Sequence, residues 1–193
     1  MDDDGFLKLT EESNSFSLPQ KFERFLVPRP PDMSDEQSLH FYAFSYERAF
    51  EQLAERASER WPGGGLLQLP LFYLARHSIE LHIKWVIDEF GKYTGEAGLT
   101  SGHDLLALWR EMQRQFVIAG MPAEEEWGEH CERLIRHMHQ MDPTGEMFRY
   151  PHDRKGKPFQ YTYVEFKGLE KAHHNVTLYC GASLDVLSEY RPY

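Results

Sequence analysis

The 193-residue chain predicts an all-α fold, with five amphipathic helices stacked as an up-and-down antiparallel bundle. Three observations predict it. Apolar residues recur at three- and four-residue steps in five separate segments, the spacing of helices that each bury one face. Those segments are joined mostly by short stretches rich in Gly and Pro, as antiparallel neighbours require. One segment, Leu74 to Ile87, is apolar almost all the way round and marks the central helix.

The elements follow in order. Residues 1–33 are polar and interrupted by Pro19, Pro28, Pro30 and Pro31, so they read as an extended arm before a bundle over 34–193. Ser34 is placed to cap the first helix, with Asp35 and Glu36 in its first turn. Leu39, Ala43, Tyr46, Phe50, Leu53 and Ala57 form its stripe, and Trp61-Pro62-Gly63-Gly64-Gly65 ends it. The central helix spans about Gln68 to Phe90, with Pro70 tolerated in the first turn. Helix three starts near Gly102 and carries Leu105, Leu108, Trp109, Met112 and Phe116; Gly120-Met121-Pro122 breaks it. Helix four carries Trp127, Cys131, Leu134, Met138 and Met141 behind an acidic first turn, Glu124 to Glu126, that suits the helix dipole.

From Asp142 to Tyr163 five Gly and Pro residues exclude a helix. Alternating aromatics on either side of Asp153-Arg154-Lys155-Gly156 predict a short β-hairpin there. The last helix runs from about Val164 to Tyr190, with Leu169, Ala172, Val176, Cys180, Ser183, Leu187 and Tyr190 inward.

Composition narrows the function. A 41% hydrophobic chain of this length can build one real core. Its net charge of −10 repels polyanions overall, so nucleic-acid binding requires a local basic patch. No apolar run reaches the ~20 residues that span a bilayer, and the first residues are acidic where a secretory signal is basic. A cytoplasmic protein without a membrane partner is expected. Cys131 and Cys180 sit inside helical patterns without metal-type spacing, which predicts buried thiols in a reducing compartment.

Three clusters carry chemistry. On the central helix Arg76, Glu80, Lys84 and Asp88 follow one another at four-residue steps with alternating sign, and His77 lies beside Glu80. Such a stripe either faces solvent as a ladder of helical ion pairs or lines a polar site. At Ser101-Gly102-His103-Asp104 a capping box is expected, with Ser101 as cap, Asp104 its reciprocal partner, and His103 at the mouth of a helix N-terminus that favours anions. In Met147-Phe148-Arg149-Tyr150-Pro151-His152-Asp153, Pro151 holds Tyr150 extended and a loop displays Arg149 and His152. With Arg154, Lys155 and Lys157 this is the local basic patch, interleaved with Phe148, Tyr150 and Phe159. Cations beside aromatic faces suit single-stranded RNA or a nucleotide, and a solvated turn is the simpler alternative. The histidines at 130, 137, 139, 173 and 174 lack a carboxylate or thiol to complete a metal set, and no phosphate loop or nucleophile elbow occurs, so no metal or cofactor is expected.

These segments together resemble the HEPN family of helical bundles. Ala75-Arg76-His77-Ser78-Ile79-Glu80-Leu81-His82-Ile83-Lys84 is similar to the family's A-x-x-x-I-E-x-x-L-K helix, with Ile83 where Leu is usual. Gly102-His103-Asp104-Leu105 resembles its G-H-D-L helix start, and Arg149-Tyr150-Pro151 the R-Y-P after its fourth helix; the order matches over roughly 66–190. The resemblance implies a four- or five-helix bundle, often a homodimer, working with RNA, a nucleotide or a companion protein in toxin–antitoxin or phage-defence systems. Many members are metal-independent ribonucleases with an Arg followed some residues later by His. Here Arg149 and His152 are separated by only two residues, and Arg133 and His139, better spaced, lie on helix four. The expectation is therefore a non-catalytic or weakly catalytic module that binds through His77, Glu80, Lys84, His103, Asp104, Arg149, Tyr150, His152 and Arg154. The alternatives are a ribonuclease using Arg149 and His152, or a structural bundle whose arm and aromatic first helix dock a protein.

Overall fold

A computed structural model describes residues 34–59, 65–121, 126–160 and 163–190, all within the unit Met33–Tyr193. The arm over 1–33, the breaker at Trp61 to Gly64, and Glu124 and Glu125 lie outside the described residues. The described chain is all-α, with five helices and no strand. They are α1 (Leu39–Ser58), α2 (Gln68–Thr94), α3 (Leu105–Ile118), α4 (Glu126–Met141) and α5 (Phe166–Tyr190).

Helix α1 begins four residues later than a Ser34 cap implies. Ser34–Gln37 forms a 3-10 turn, and it is Ser38 that caps, its hydroxyl accepting from the Phe41 amide at 3.0 Å. Ala43, Phe50, Ala54 and Ala57 are its buried stripe. Helix α2 is buried nearly all round, from Leu71 to Gly91, as its apolar circumference requires. It ends where Gly95 turns left-handed (φ 77°) and its amide bonds the Gly91 carbonyl. Helix α3 also starts later than expected. Asp104 is itself the cap, accepting from the Ala107 amide at 2.9 Å, rather than the partner of a Ser101 cap.

Helix α2 packs against α1, α3 and α5, and α3 and α4, and α4 and α5, are likewise neighbours. Helices α2 to α5 thus enclose a core in which Ile79, Ile83, Ile87, Phe90, Trp109, Met112, Phe116 and Ile135 are almost fully buried. Cys131 and Cys180 are buried free thiols within it, and burial pushes the Cys180 thiol well above its ordinary pKa. Among the described residues between α4 and α5, His152 and Pro158 form an isolated antiparallel bridge, without the paired strands of the expected hairpin. Asp153 closes that turn, its carboxylate accepting from the amides of Lys155 and Lys157.

Candidate functional site

The charged stripe of α2 is not a solvent-facing ladder. The side chains of Arg76 and Glu80 are 5% and 2% exposed, and that of Lys84 is 13% exposed. Charges at this depth persist only when paired, and Glu80 supplies the pairing. Its Oε2 accepts from Arg76 Nη1 at 3.2 Å, and its Oε1 accepts from Lys84 Nζ at 2.9 Å. The same Oε1 lies 2.9 Å from Nδ1 of His103. Burial raises the Glu80 pKa, but bonds and charge from Lys84 and His103 outweigh it and hold the carboxyl below its ordinary range. Asp88, the next step of the stripe, stands apart in a half-exposed pair with Lys92 at 2.7 Å.

The loops complete the cluster. Arg76 Nη2 donates to the His103 carbonyl at 2.6 Å, joining α2 to the start of α3. Its Nε lies 3.7 Å from Asp142 Oδ2 and has no hydrogen-bond partner among the described residues. Asp142 is buried, and its Oδ1 accepts from the amides of Glu146 and Met147. Gly145 has φ 73°, and a Cβ there would stand 2.7 Å from Arg76 Nη1, so only glycine allows the connection to lie on the guanidinium.

Arg149 sits on the other side of Gly145. Its Nε donates to the Gly145 carbonyl at 2.6 Å. Its guanidinium is 5.7 Å from the centre of the Tyr73 ring and 5.6 Å from that of Tyr150, within reach of cation–π attraction to both. Tyr73 in turn stacks on His77 at 5.6 Å, and Tyr46 meets the same imidazole edge-on at 4.4 Å. Burial lowers the His77 pKa; Glu80 opposes that shift, and Lys84, His103 and Arg149 reinforce it. His77 is therefore neutral near pH 7.

The structure thus brings His77, Glu80, Lys84, His103 and Arg149 to one locality. His103 presents an imidazole 61% exposed and anchored through Nδ1, instead of aiming at the amides of α3. Asp104 is occupied as a cap and lies 3.4 Å from His139 Nδ1. Arg154 is partnered, its Nε donating to Glu146 at 2.7 Å. His152 is exposed on the bridged turn and makes no side-chain hydrogen bond or ion pair among the described residues. Tyr150 is 56% exposed. Sequence reasoning gave no site role to Tyr73, Asp142 or Gly145; Asp142 and Gly145, in Asp142-Pro143-Thr144-Gly145, carry a recognisable turn signal, and Tyr73 carries none.

A second polar cluster lies on the opposite face of α2. Ser78 Oγ is 2.8 Å from His173 Nε2 of α5. His82 Nδ1 donates to the Ser78 carbonyl at 2.9 Å, and its Nε2 lies 3.2 Å from Glu47 of α1. Burial lowers the His173 pKa to about 4 despite the charge of Glu47.

Two of the clefts that flank the α4–α5 connection are lined by candidate residues. One, of about 320 Å³, is lined by Phe148, Arg149, Tyr150, Pro151 and Phe159 among others. The other, of about 550 Å³, is bordered by charged residues that include His103, Glu146, Arg154 and Lys155. Among the described residues no group of three His, Cys, Asp or Glu side chains is placed to hold a metal, and no helix is long and apolar enough to cross a membrane. Comparison with family models, with curated proteins and with solved structures finds no match.

Proposed function

We propose that this locality binds a phosphate of RNA or of a nucleotide, within a HEPN-like up-and-down bundle. Arg149 carries the reading. Its Nε is spent on Gly145 and its guanidinium lies near the rings of both Tyr73 and Tyr150. Its two terminal nitrogens have no protein acceptor among the described residues. A pre-oriented guanidinium with unspent donors is suited to a phosphate. The pairing pattern supports this: Arg76 and Lys84 are answered by Glu80 and Asp142, whereas no carboxylate among the described residues pairs with Arg149, in a chain whose net charge is −10. The contact order of successive helices supports the bundle. A homodimer, or pairing with a companion protein in a toxin–antitoxin or phage-defence system, belongs to the same proposal through the resemblance alone.

Fluorescence anisotropy with a labelled single-stranded RNA tests the reading. Affinity is expected to fall with salt and to drop about tenfold in Arg149→Ala, with an unchanged urea midpoint. Binding indifferent to both salt and Arg149→Ala overturns it.

A ribonuclease reading has one observation in its favour, and that observation moves the base. Glu80 fixes Nδ1 of the exposed His103, which leaves Nε2 to accept a proton; nothing comparable orients His152. In this reading His103 takes the proton from a ribose 2′-hydroxyl as its oxygen attacks the adjacent phosphorus. The bond to the 5′ oxygen breaks, that oxygen takes a proton from water, and a 2′,3′-cyclic phosphate results. Arg149 meets the charge growing on the phosphoryl oxygens. Cleavage in chelator that survives His152→Ala and is lost in His103→Ala is the expected pattern; no cleavage by the wild type removes the catalytic reading and leaves the binding one.

A further inference from the structure

We propose that the cleft of about 320 Å³ beside Arg149 is a base-binding subsite that takes one unpaired nucleobase of a strand whose phosphate rests on Arg149. This rests on the phosphate reading above and adds what recognises the rest of the nucleotide.

The cleft has the size of a small-ligand site at the lower end of the usual range, roughly 300–1,000 Å³. Three of its lining side chains are flat aromatic rings, and one of these is locked in place. Phe148 is buried and stacked on Phe72, with ring centres 3.8 Å apart and planes 24° apart, so it cannot swing to fill the space. Tyr150 precedes Pro151 and has its ring 5.6 Å from the Arg149 guanidinium. Phe159 is brought back to the same cleft by its own amide, which donates to the Pro151 carbonyl at 3.1 Å, and by the bridge between His152 and Pro158. Three aromatic rings and a proline therefore surround a space with one cation at its edge.

That combination selects the occupant. Base stacking on aromatic side chains asks only for a π-face, and the backbone of the same nucleotide asks for a nearby cation. A neighbouring cleft of about 400 Å³ shares Phe148 but is otherwise lined by residues such as Phe72, Leu134, Met138, Met141 and Leu169, with no Arg or Lys. It lacks the charge complement that a nucleotide needs. The charge at Arg149 decides between the two clefts.

The experiment compares two labelled probes of equal length in anisotropy titrations: a short single-stranded RNA and an abasic ribose-phosphate chain. The wild type is expected to bind the RNA about tenfold more tightly, as stacking of a single base supports. Phe159→Leu and Tyr150→Leu keep the apolar wall but remove a π-face, and each is expected to bring the ratio of the two affinities toward one. Arg149→Ala is expected to weaken both probes. Equal wild-type affinities, or a ratio unmoved by both leucine variants, overturn the base subsite and leave the phosphate reading intact. Failure of both probes to bind overturns the phosphate reading and the subsite together.

Discussion

Helix α2 carries a buried polar cluster on each of two opposite faces, and they differ in what remains unspent. On one face Arg76 and Lys84 converge on Glu80, and the cluster continues outward to an exposed imidazole and to the guanidinium of Arg149. On the other, Ser78, His82, His173 and Glu47 answer one another between α1, α2 and α5. Burial of ionisable groups is common to both, so burial alone does not mark a site. The first face is distinguished by a guanidinium that no carboxylate pairs among the described residues and by tips that reach solvent. The second consists of one carboxylate, imidazoles and a hydroxyl that satisfy each other inside the fold, and its role is to fix how α1 and α5 sit on α2.

Three changes test that contrast. The largest effect is expected from Glu80→Gln, which leaves two buried cations sharing a neutral amide. Removing one partner of a buried ion pair typically costs about 3–5 kcal/mol, read from urea denaturation. A loss under about 1 kcal/mol would show that Arg76 and Lys84 reach water on their own, and the two faces would then not differ in kind.

Next is the pH response of the closed face. His173 titrates near 4 in the folded chain, against about 6.5 when unfolded. Between those values the unfolded chain binds a proton that the folded chain excludes. Stability is thus fully present above about pH 6.5 and falls as pH drops toward 4, by about 3 kcal/mol at the lower end. His77, whose pKa burial also lowers, acts in the same direction. In His173→Gln most of this slope is expected to vanish in urea titrations across the window; an unchanged slope would place the acid sensitivity elsewhere.

The smallest of the three sharpens the open face. Gly145→Ala puts a methyl against Arg76 Nη1 and asks alanine to hold φ 73°. A stability loss of about 1–3 kcal/mol is expected. Weaker RNA binding should accompany it, since the Gly145 carbonyl holds Arg149. Normal stability and normal binding together would mean that the connection does not organise the guanidinium.

Much of this was legible in the residues. Five helices follow from apolar spacing, and the alternation Arg76, Glu80, Lys84 singled out the polar face of α2. Its burial was not legible, because the cover comes from His103 and from Asp142 to Gly145, distant in sequence. The helix starts slipped for a local reason. Ser34 and Ser38, like Ser101 and Asp104, are both competent caps, and the backbone conformation, extended at Ser38 and Asp104, decides between them. The closed cluster escaped notice because Ser78 and His82 look like ordinary interruptions of an apolar helix until α5 supplies His173 opposite them. For Arg149 the loop position was clear from Pro151, whereas its support by Tyr73 depends on how the connection folds back onto α2.

The Asp142 carboxylate has a mechanical consequence. One oxygen grips two successive amides of the connection while the other faces the guanidinium of α2, so the root of this irregular segment is pinned as firmly as a turn of helix. Loss of that carboxylate would unseat the connection from α2 at its root, and Gly145 and Arg149 with it.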